Sequence, residues 1–312
     1  MSGPIAPAFA RVAVLLLLVC CVSSCGRRKQ TDEATLPLPV PEGAIFQPTS
    51  DLQTLAYPTH QTRLTSDNLA EVYQTTASGK PESGTYGSVR TGQYGKLLLP
   101  RFHEGVDIAA LSRDAKGRPL DDVFAAAYGR VALVHKVAGN SDYGIYVVLI
   151  HNDPVGTFYT LYGHMAEADA ALREGMIVEP GTRLGRMGNT STSGIPMNRA
   201  HLHFEVGMLA NDRFLSWPGL PKTHTPGGLY NGQNLWGLNP ISLFRDYQDH
   251  DGKLTLLEHI RRVPVAIELI SKTNKLPDYF RRHPALWSGP DSFEGALVFS
   301  ISEGGVILSG RR

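Results

Sequence analysis

Cysteine is almost missing from this sequence: three of its 312 residues are Cys, and all three precede residue 26. The rest of the chain has no thiol for a disulfide or a thiolate metal site, so a metal bound there would need His and carboxylate ligands. The chain also lacks a strong excess of positive or negative residues, because 30 basic and 29 acidic residues leave a formal net charge of +1. This balance gives no electrostatic reason to propose nucleic acid as a partner.

The chain also lacks an apolar run long enough to cross a membrane as a helix, which takes about 20 residues. Its longest apolar run, residues 12–22, is preceded by Arg11 and followed by Ser23-Ser24-Cys25. This arrangement is typical of an export signal. Residues 22–25 resemble the bacterial lipobox, which implies that Cys25 is lipid-modified and becomes the new N-terminus. A plain secretory signal cleaved nearby and an uncleaved anchor are the alternatives.

Gly26 stands where an Asp would favour retention in the inner membrane. We therefore expect a lipid-anchored protein of the cell envelope that faces the periplasm, with the outer membrane favoured. Residues 26 to about 60 include a Pro-rich stretch at 36–48 and predict an extended, semi-rigid tether. Arg11 is the only charged residue before Cys25, so the mature chain would carry 29 basic and 29 acidic residues.

Abundant Gly and Pro without a period favour a mainly β protein. Short β-type runs separated by turn residues predict strands at 129–137, 143–151, 157–164, 176–182 (two strands around a tight turn) and 200–208. After residue 240 the pattern changes: 254–271 has apolar residues at helical spacing, interrupted by Pro264, and 294–308 predicts a β-hairpin that turns at 303–305. The prediction is a signal at 1–24, a lipid-anchored tether and lead-in at 25–84, a main domain at 85–245 and an α+β C-terminal extension at 246–312.

Two histidines lie two residues apart on the last predicted strand of the main domain. Side chains in a strand alternate between faces, so His201, His203 and Glu205 share one face and Leu202, Phe204 and Val206 share the other. The apolar face predicts a core contact. The two imidazoles fit a metal or catalytic site, although a solvated polar face is the alternative for this motif read alone.

A second cluster combines His103 with Asp107. Gly105 argues against a helix, and a turn at 104–105 into a strand would let Asp107 point the way His103 does. Catalytic zinc typically has three protein ligands and an open fourth position, and His103, Asp107 and His203 meet that count. Read alone, the cluster also fits a surface His and an Asp at a turn.

The third piece is His164, which ends the alternating stretch at 159–164. It could sit beside a metal without binding it. A structural histidine at a strand end is the alternative.

The three clusters together resemble the LytM/lysostaphin type of zinc peptidases, the M23 family. That family has His-x-x-x-Asp, a Tyr-x-His strand and a closing His-Leu-His-Phe-Glu in this order, and residues 125–131, 143–144 and 179–185 are also similar to its framework. The resemblance covers roughly residues 90–245. It implies a compact antiparallel β-sheet framework, one Zn²⁺ held by His103, Asp107 and His203, and two non-ligating catalytic histidines, His164 and His201.

Two departures from the family pattern are visible. Gly163 replaces the usual Ala before His164, which keeps a small residue there. The family's Gly-Asn-Thr-Gly run is changed at 188–194, and residues 195–200 are inserted before His201, on a loop expected to border the groove. Residues 211–238, rich in Gly, Pro and Trp, are a second candidate groove wall.

The resemblance implies hydrolysis of peptide bonds in peptidoglycan by metal-activated water. His164 and His201 would donate hydrogen bonds to the developing oxyanion and carry protons to the leaving amine. Glu205 would orient a ligand, with a solvated carboxylate as the alternative. A non-catalytic adaptor that activates a cell-wall amidase and a zinc enzyme acting on a secreted protein are the competing hypotheses, and the pattern does not indicate an oligomeric state.

Overall fold

The structure, a computed structural model, describes residues 49–94, 97–218, 226–273, 275–290 and 295–312. The predicted signal at 1–24, Cys25 and the Pro-rich stretch at 36–48 lie outside the described residues. None of the helices in the described part of the chain has the length and apolar character needed to cross a bilayer.

Antiparallel strands dominate the fold, as the sequence predicted. The first two form a separate two-stranded sheet, and the next nine form the main sheet. In chain order these strands are β1 (Val89–Tyr94), β2 (Leu97–Phe102), β3 (Val106–Ala109), β4 (Asp122–Phe124), β5 (Gly129–His135), β6 (Ile145–Asp153), β7 (Gly156–Ala168), β8 (Ile177–Val178), β9 (Arg183–Met187), β10 (His201–Leu209) and β11 (Leu235–Leu238).

The main sheet runs in the order β11-β10-β7-β6-β5-β8, and β9 joins β7 to β4. One edge of β10 pairs with β7. Its other edge pairs first with β3, through residues 201–204, and then with β11, through residues 206–209. β10 therefore lies between the strands that carry the other clusters found in the sequence.

The two faces of β10 differ as the alternation predicted. Leu202, Phe204 and Val206 belong to the large hydrophobic core, whereas a smaller cluster that includes Tyr146, Tyr159 and Leu161 lies among other strands of the sheet. His201, His203 and Glu205 are buried as well. A buried row of polar side chains needs internal partners for its hydrogen bonds.

Helices are short in the described residues: α1 (Leu69–Val72), α2 (Pro240–Asp249), α3 (Leu256–Ile260) and α4 (Asp278–Arg282). Asn239 caps α2 by accepting from the backbone N–H groups of residues 241 and 242, and Pro240 takes the first helical position. Thr255 and Glu258 form a capping box at the start of α3.

The C-terminal part forms a second, four-stranded sheet. Its strands are β12 (Ile267–Lys272), β13 (Trp287–Ser288), β14 (Ala296–Ile301) and β15 (Ile307–Arg311), in the order β12-β14-β15-β13. The helical pattern predicted over 254–271 is wrong beyond residue 260, because Pro264 cannot continue a helix and residues 267–272 pair with β14. The predicted turn at 303–305 is confirmed between β14 and β15.

The predicted tether reaches too far toward the C-terminus. Leu52 is buried, the Ala56 N–H donates to the Ala126 carbonyl at 2.7 Å, and the Asn152 N–H donates to Asp51 Oδ2 at 2.6 Å. Residues 51–56 thus pack on the main domain, within the span that was predicted as a tether. The Pro-rich composition that suggested the tether ends before them, at residue 48.

His151 on β6 should make stability depend on pH. Burial lowers its pKa to about 4, although its Nδ1–H donates to the Tyr128 carbonyl. The unfolded chain binds the proton with a pKa of about 6.5, so a change from about pH 7.5 to about pH 5 should remove about 2 kcal/mol of unfolding free energy through this residue.

Urea unfolding of the wild type and of His151→Gln at both pH values measures this contribution. The difference in unfolding free energy should shift by about 2 kcal/mol in favour of the variant at the lower pH. A difference that stays constant with pH would contradict a buried, neutral His151.

Candidate metal and catalytic site

The pairing of β3 with β10 brings the first and last clusters together. His203 lies directly opposite Asp107 in the antiparallel register, and directly opposed side chains on one face are in contact. Gly105 permits this approach: a Cβ at that position would lie 2.4 Å from the Phe204 carbonyl oxygen and 2.8 Å from Glu205 Cγ. Where the sequence predicted a turn, the chain bends at Gly105 and leads into β3.

His103, Asp107 and His203 form a buried triangle. One ligand atom from each lies within 4.8 Å of the others. His103 Nε2 is 3.1 Å from Asp107 Oδ1 and 3.2 Å from His203 Nδ1, and the latter is 3.0 Å from Asp107 Oδ1. The three residues predicted as ligands are therefore brought to one point.

The second nitrogen of each of these imidazoles is held by an acceptor. His103 Nδ1 lies 2.8 Å from the Thr85 carbonyl oxygen, and His203 Nε2 lies 2.7 Å from Glu205 Oε1. A carbonyl or carboxylate oxygen can only accept, so these nitrogens carry the hydrogens. In the neutral rings His103 Nε2 and His203 Nδ1 are then bare and face each other.

This donor set fits a cation. Two bare imidazole nitrogens and a carboxylate oxygen that face one another repel unless a positive charge lies among them. Two neutral imidazoles and one carboxylate suit Zn²⁺, and the hydrogen bonds from the far side of each ring are the usual support of metal-binding histidines.

The electrostatics around the triangle agree with this interpretation. Burial opposes ionisation of Asp107, but His103 and His201 hold its pKa well below the usual range. Burial lowers the pKa of His103. For His203, hydrogen bonds with Asp107 and Glu205 outweigh burial and raise the pKa to about 9. Before a cation binds, His203 thus carries the proton that satisfies the carboxylates.

Glu205 is held by more than His203. Tyr143 donates a hydrogen bond to its Oε1 at 2.8 Å and Tyr159 donates to its Oε2 at 2.9 Å. Burial opposes ionisation, but these bonds and His203 keep the pKa of Glu205 below its usual value. The alternative of a solvated carboxylate is wrong, because Glu205 is 1% exposed. The structure supports the predicted contact of Glu205 with a metal-binding residue, His203.

His164 reaches the site through a distortion of β7. The strand does not end at His164, as the sequence suggested, but continues to Ala168. The register shifts against β6 and β9 around this point, and His164 has a φ of 60°, which is uncommon for a residue other than glycine. Such a bulge re-aims a side chain, here toward His201, whose ring centroid is 4.9 Å away.

His164 and His201, the two histidines predicted not to bind the metal, also have one nitrogen fixed by a backbone carbonyl. His164 Nδ1–H donates to the Thr190 carbonyl at 2.9 Å, and His201 Nδ1–H donates to the Arg199 carbonyl at 2.7 Å. His201 Nε2 lies 3.3 Å from Asp107 Oδ1 but makes no hydrogen bond with good geometry in the described residues. Burial and the neighbouring histidines 201 and 203 keep the pKa of His164 well below its usual value.

The inserted residues 195–200 form part of this support. They contain a short 3₁₀ turn, Met197–Arg199, whose position is fixed by Arg113. The Arg113 guanidinium donates to the carbonyls of Met197 and Ala200, at 3.0 and 2.8 Å. The insertion therefore supplies the carbonyl that orients His201.

In the second candidate groove wall, 211–238, the described residues include exposed Leu215 and Trp217.

Sequence patterns missed several residues that hold the site. Thr85, Thr190 and Arg199 act through backbone carbonyls, which every residue has, so no side-chain pattern marks them. Tyr143 lies in the segment 143–144 and Tyr159 in the stretch 159–164, both of which resemble the family. The diagonal contact of Tyr159 with Glu205 follows once the β7–β10 register is known.

Several solved structures match part of this chain, with low TM-scores. Csd3 from Helicobacter pylori is 24% identical over 49% of this chain and 31% of its own, with a TM-score of 0.29. A zinc-containing peptidase from Vibrio cholerae is 23% identical over 43% and 35%, with a TM-score of 0.27. The catalytic domain of lysostaphin from Staphylococcus simulans is 24% identical over 39% and 75%, with a TM-score of 0.28.

The chain spans about a third of the length of the first two of these proteins. No curated protein sequence matches it. The family model of peptidase family M23 matches residues 101–213, which contain all five residues of the site. This segment of the chain is therefore a peptidase family M23 domain.

Proposed function

We propose that the protein is a zinc-dependent endopeptidase that hydrolyses peptide cross-links or stem peptides of peptidoglycan. The observation that carries the proposal is the orientation of its imidazoles. Two of them have their outer N–H tied to an acceptor and turn the other nitrogen toward Asp107, and two more, outside this triangle, have one N–H tied to a backbone carbonyl. A site that only stabilised the fold would not need four imidazoles with their hydrogens directed away from a common centre.

His103 Nε2, Asp107 Oδ1 and His203 Nδ1 would hold the ion. Zinc at such a site supplies polarisation of the scissile carbonyl and lowers the pKa of a bound water to about 7. Glu205 and the Thr85 carbonyl keep the two ligand rings in the required tautomers and orientations.

His164 and His201 would move the protons. With Nδ1–H donated to a backbone carbonyl, the Nε2 atom of each neutral ring is an acceptor. The role expected from the sequence therefore changes in order: these nitrogens first accept a proton from the attacking water and only then donate it to the leaving amine or the oxyanion. The lowered pKa of His164 favours the neutral, accepting form at the start.

The proposed substrate and location rest on the family and on the N-terminal pattern. We propose that Cys25 carries a lipid, that the protein faces the periplasm from the outer membrane, and that it reaches peptidoglycan from that anchor. Labelling with a palmitate analogue tests the anchor: wild-type protein should take up the label and Cys25→Ser should not. Label in both proteins would contradict modification at Cys25.

Digestion of purified sacculi, followed by mass spectrometry of the released peptides, tests the activity. Release of cleaved peptides by the zinc-loaded protein supports the proposal. Unchanged muropeptides together with stimulation of an added amidase would instead support the adaptor hypothesis. Cleavage of unfolded polypeptides alone would support a secreted-protein substrate.

Two histidine variants should separate metal binding from proton transfer. His203→Ala removes a ligand and should abolish both zinc binding and cleavage. His201→Ala should keep about one zinc per chain and lose about a hundredfold or more in turnover. Zinc content and sacculus digestion measure the two effects, and loss of zinc from His201→Ala would contradict this division of roles.

Zinc binding should release a proton, because the raised pKa of His203 means that the ion replaces a proton on Nδ1. Between about pH 6.5 and about pH 7.5, affinity should rise about tenfold per pH unit. Calorimetry in buffers of different ionisation enthalpy should give about one released proton. Glu205→Gln removes a charge that raises this pKa, so it should release less, and equal release from both proteins would contradict this assignment.

A further inference from the structure

Arg90 on β1 contacts the carboxylate that we assign to the metal. Its Nη2 lies 2.5 Å from Asp107 Oδ2, and the salt bridge is largely shielded, with side-chain exposures of 30% for Arg90 and 4% for Asp107. The same Nη2 lies 2.9 Å from the Ser83 carbonyl oxygen. Sequence motifs gave no reason to single out this arginine.

The two hydrogens of Arg90 Nη2 determine its direction toward Asp107. Nη2 carries two hydrogens, and the two oxygens of Ser83 and Asp107 use both. Arg90 Nη2 is also 3.1 Å from His103 Nδ1, but that nitrogen already donates its hydrogen to the Thr85 carbonyl, so this proximity adds no constraint on the guanidinium. The Ser83 carbonyl thus fixes the direction in which Nη2 points at Asp107.

The two oxygens of Asp107 are thereby given different tasks. Oδ1 faces His103 and His203, while Oδ2 is taken by a charge-assisted hydrogen bond. We propose that Arg90 is a positioning residue for the metal: it holds Asp107 so that only Oδ1 is offered to the ion. This inference rests on the zinc site of the proposed function and adds to it a residue outside the five-residue pattern.

The segment that carries Arg90 also holds His103, the proposed ligand that precedes Asp107 in the chain. Thr85 supplies the carbonyl for His103, and the backbone of residues 87 and 88 hydrogen-bonds to His103 at 3.0 Å on each side. Residues 83–90 precede the region that matches the family model, 101–213. The orientation of both His103 and Asp107 therefore depends on chain outside that region.

Arg90→Gln should weaken zinc binding by about 10- to 100-fold, the usual effect of removing such a partner. Competition with a chromogenic chelator, on the full-length protein, measures this affinity. Arg101→Gln is the matched control: Arg101 pairs with Arg90 in the β1–β2 register, and its exposed side chain contacts Asp142 rather than a ligand. The control should stay within about twofold of wild type, as expected for an exposed pair.

Cobalt(II) in place of zinc gives a readout that a general loss of stability would not move. A freed Oδ2 in Arg90→Gln would let Asp107 bind through both oxygens, which raises the coordination number and weakens the visible absorption of the cobalt. Arg90→Lys keeps the charge on a slightly shorter chain, so its affinity and spectrum should lie between those of Arg90→Gln and wild type. The metal-free unfolding temperature of each variant controls for loss of fold.

Wild-type zinc affinity and an unchanged cobalt spectrum in Arg90→Gln would overturn the inference while the proposed function stands. If Arg90→Gln does not fold, Arg90→Lys carries the test, and wild-type affinity and spectrum in that variant would overturn it. If the wild-type protein binds no zinc at all, the proposed function fails first and the inference with it.

Discussion

The site depends on one repeated interaction, the hydrogen bond that each of its four imidazoles gives from the nitrogen facing away from the centre. A neutral imidazole has a single N–H, so an acceptor on one side leaves the other nitrogen bare. Three of the four acceptors are backbone carbonyls and the fourth is a carboxylate; they belong to Thr85, Thr190, Arg199 and Glu205. The ring direction, and the nitrogen that keeps its hydrogen in the neutral form, are thus decided by the protein before any ligand arrives.

Carbonyl acceptors tie this chemistry to the course of the backbone. The Thr190 carbonyl can approach because residue 144 is a glycine at a φ of 65°, where a Cβ would lie 2.1 Å from that oxygen. The Arg199 carbonyl belongs to the turn that Arg113 fixes. A shift of either loop would rotate a catalytic ring without changing any catalytic side chain. Strands β3 and β10 hold Asp107 and His203, and the loops orient His164 and His201.

Strand alternation, motif order and the family resemblance led to the mainly β fold and to five residues that the structure brings close together. They were not sufficient for the residues that support them, because Tyr159 and Arg90 meet the site through registers that a single sequence does not reveal. The segment 254–271 shows another limit of periodicity: apolar residues at 257, 260, 263 and 267 fit a helix, yet Pro264 and pairing with β14 determine a strand from residue 267. His164 was assigned to a strand end because a bulge leaves no mark in the alternation.

Charge balance explains how so polar a cluster remains folded. Asp107 and Glu205 are buried and ionised, and an uncompensated buried charge costs several kcal/mol. Arg90 compensates one of them directly. The raised pKa of His203 supplies the second positive charge, so the metal-free cluster is neutral overall. In the function that we propose, a divalent ion would replace that proton with a net gain of one positive charge, beside the peptide carbonyl oxygen that becomes negative. In the proposed zinc-bound form Asp107 would bind the ion directly, and Glu205 would hold the ring of His203 through its Nε2–H.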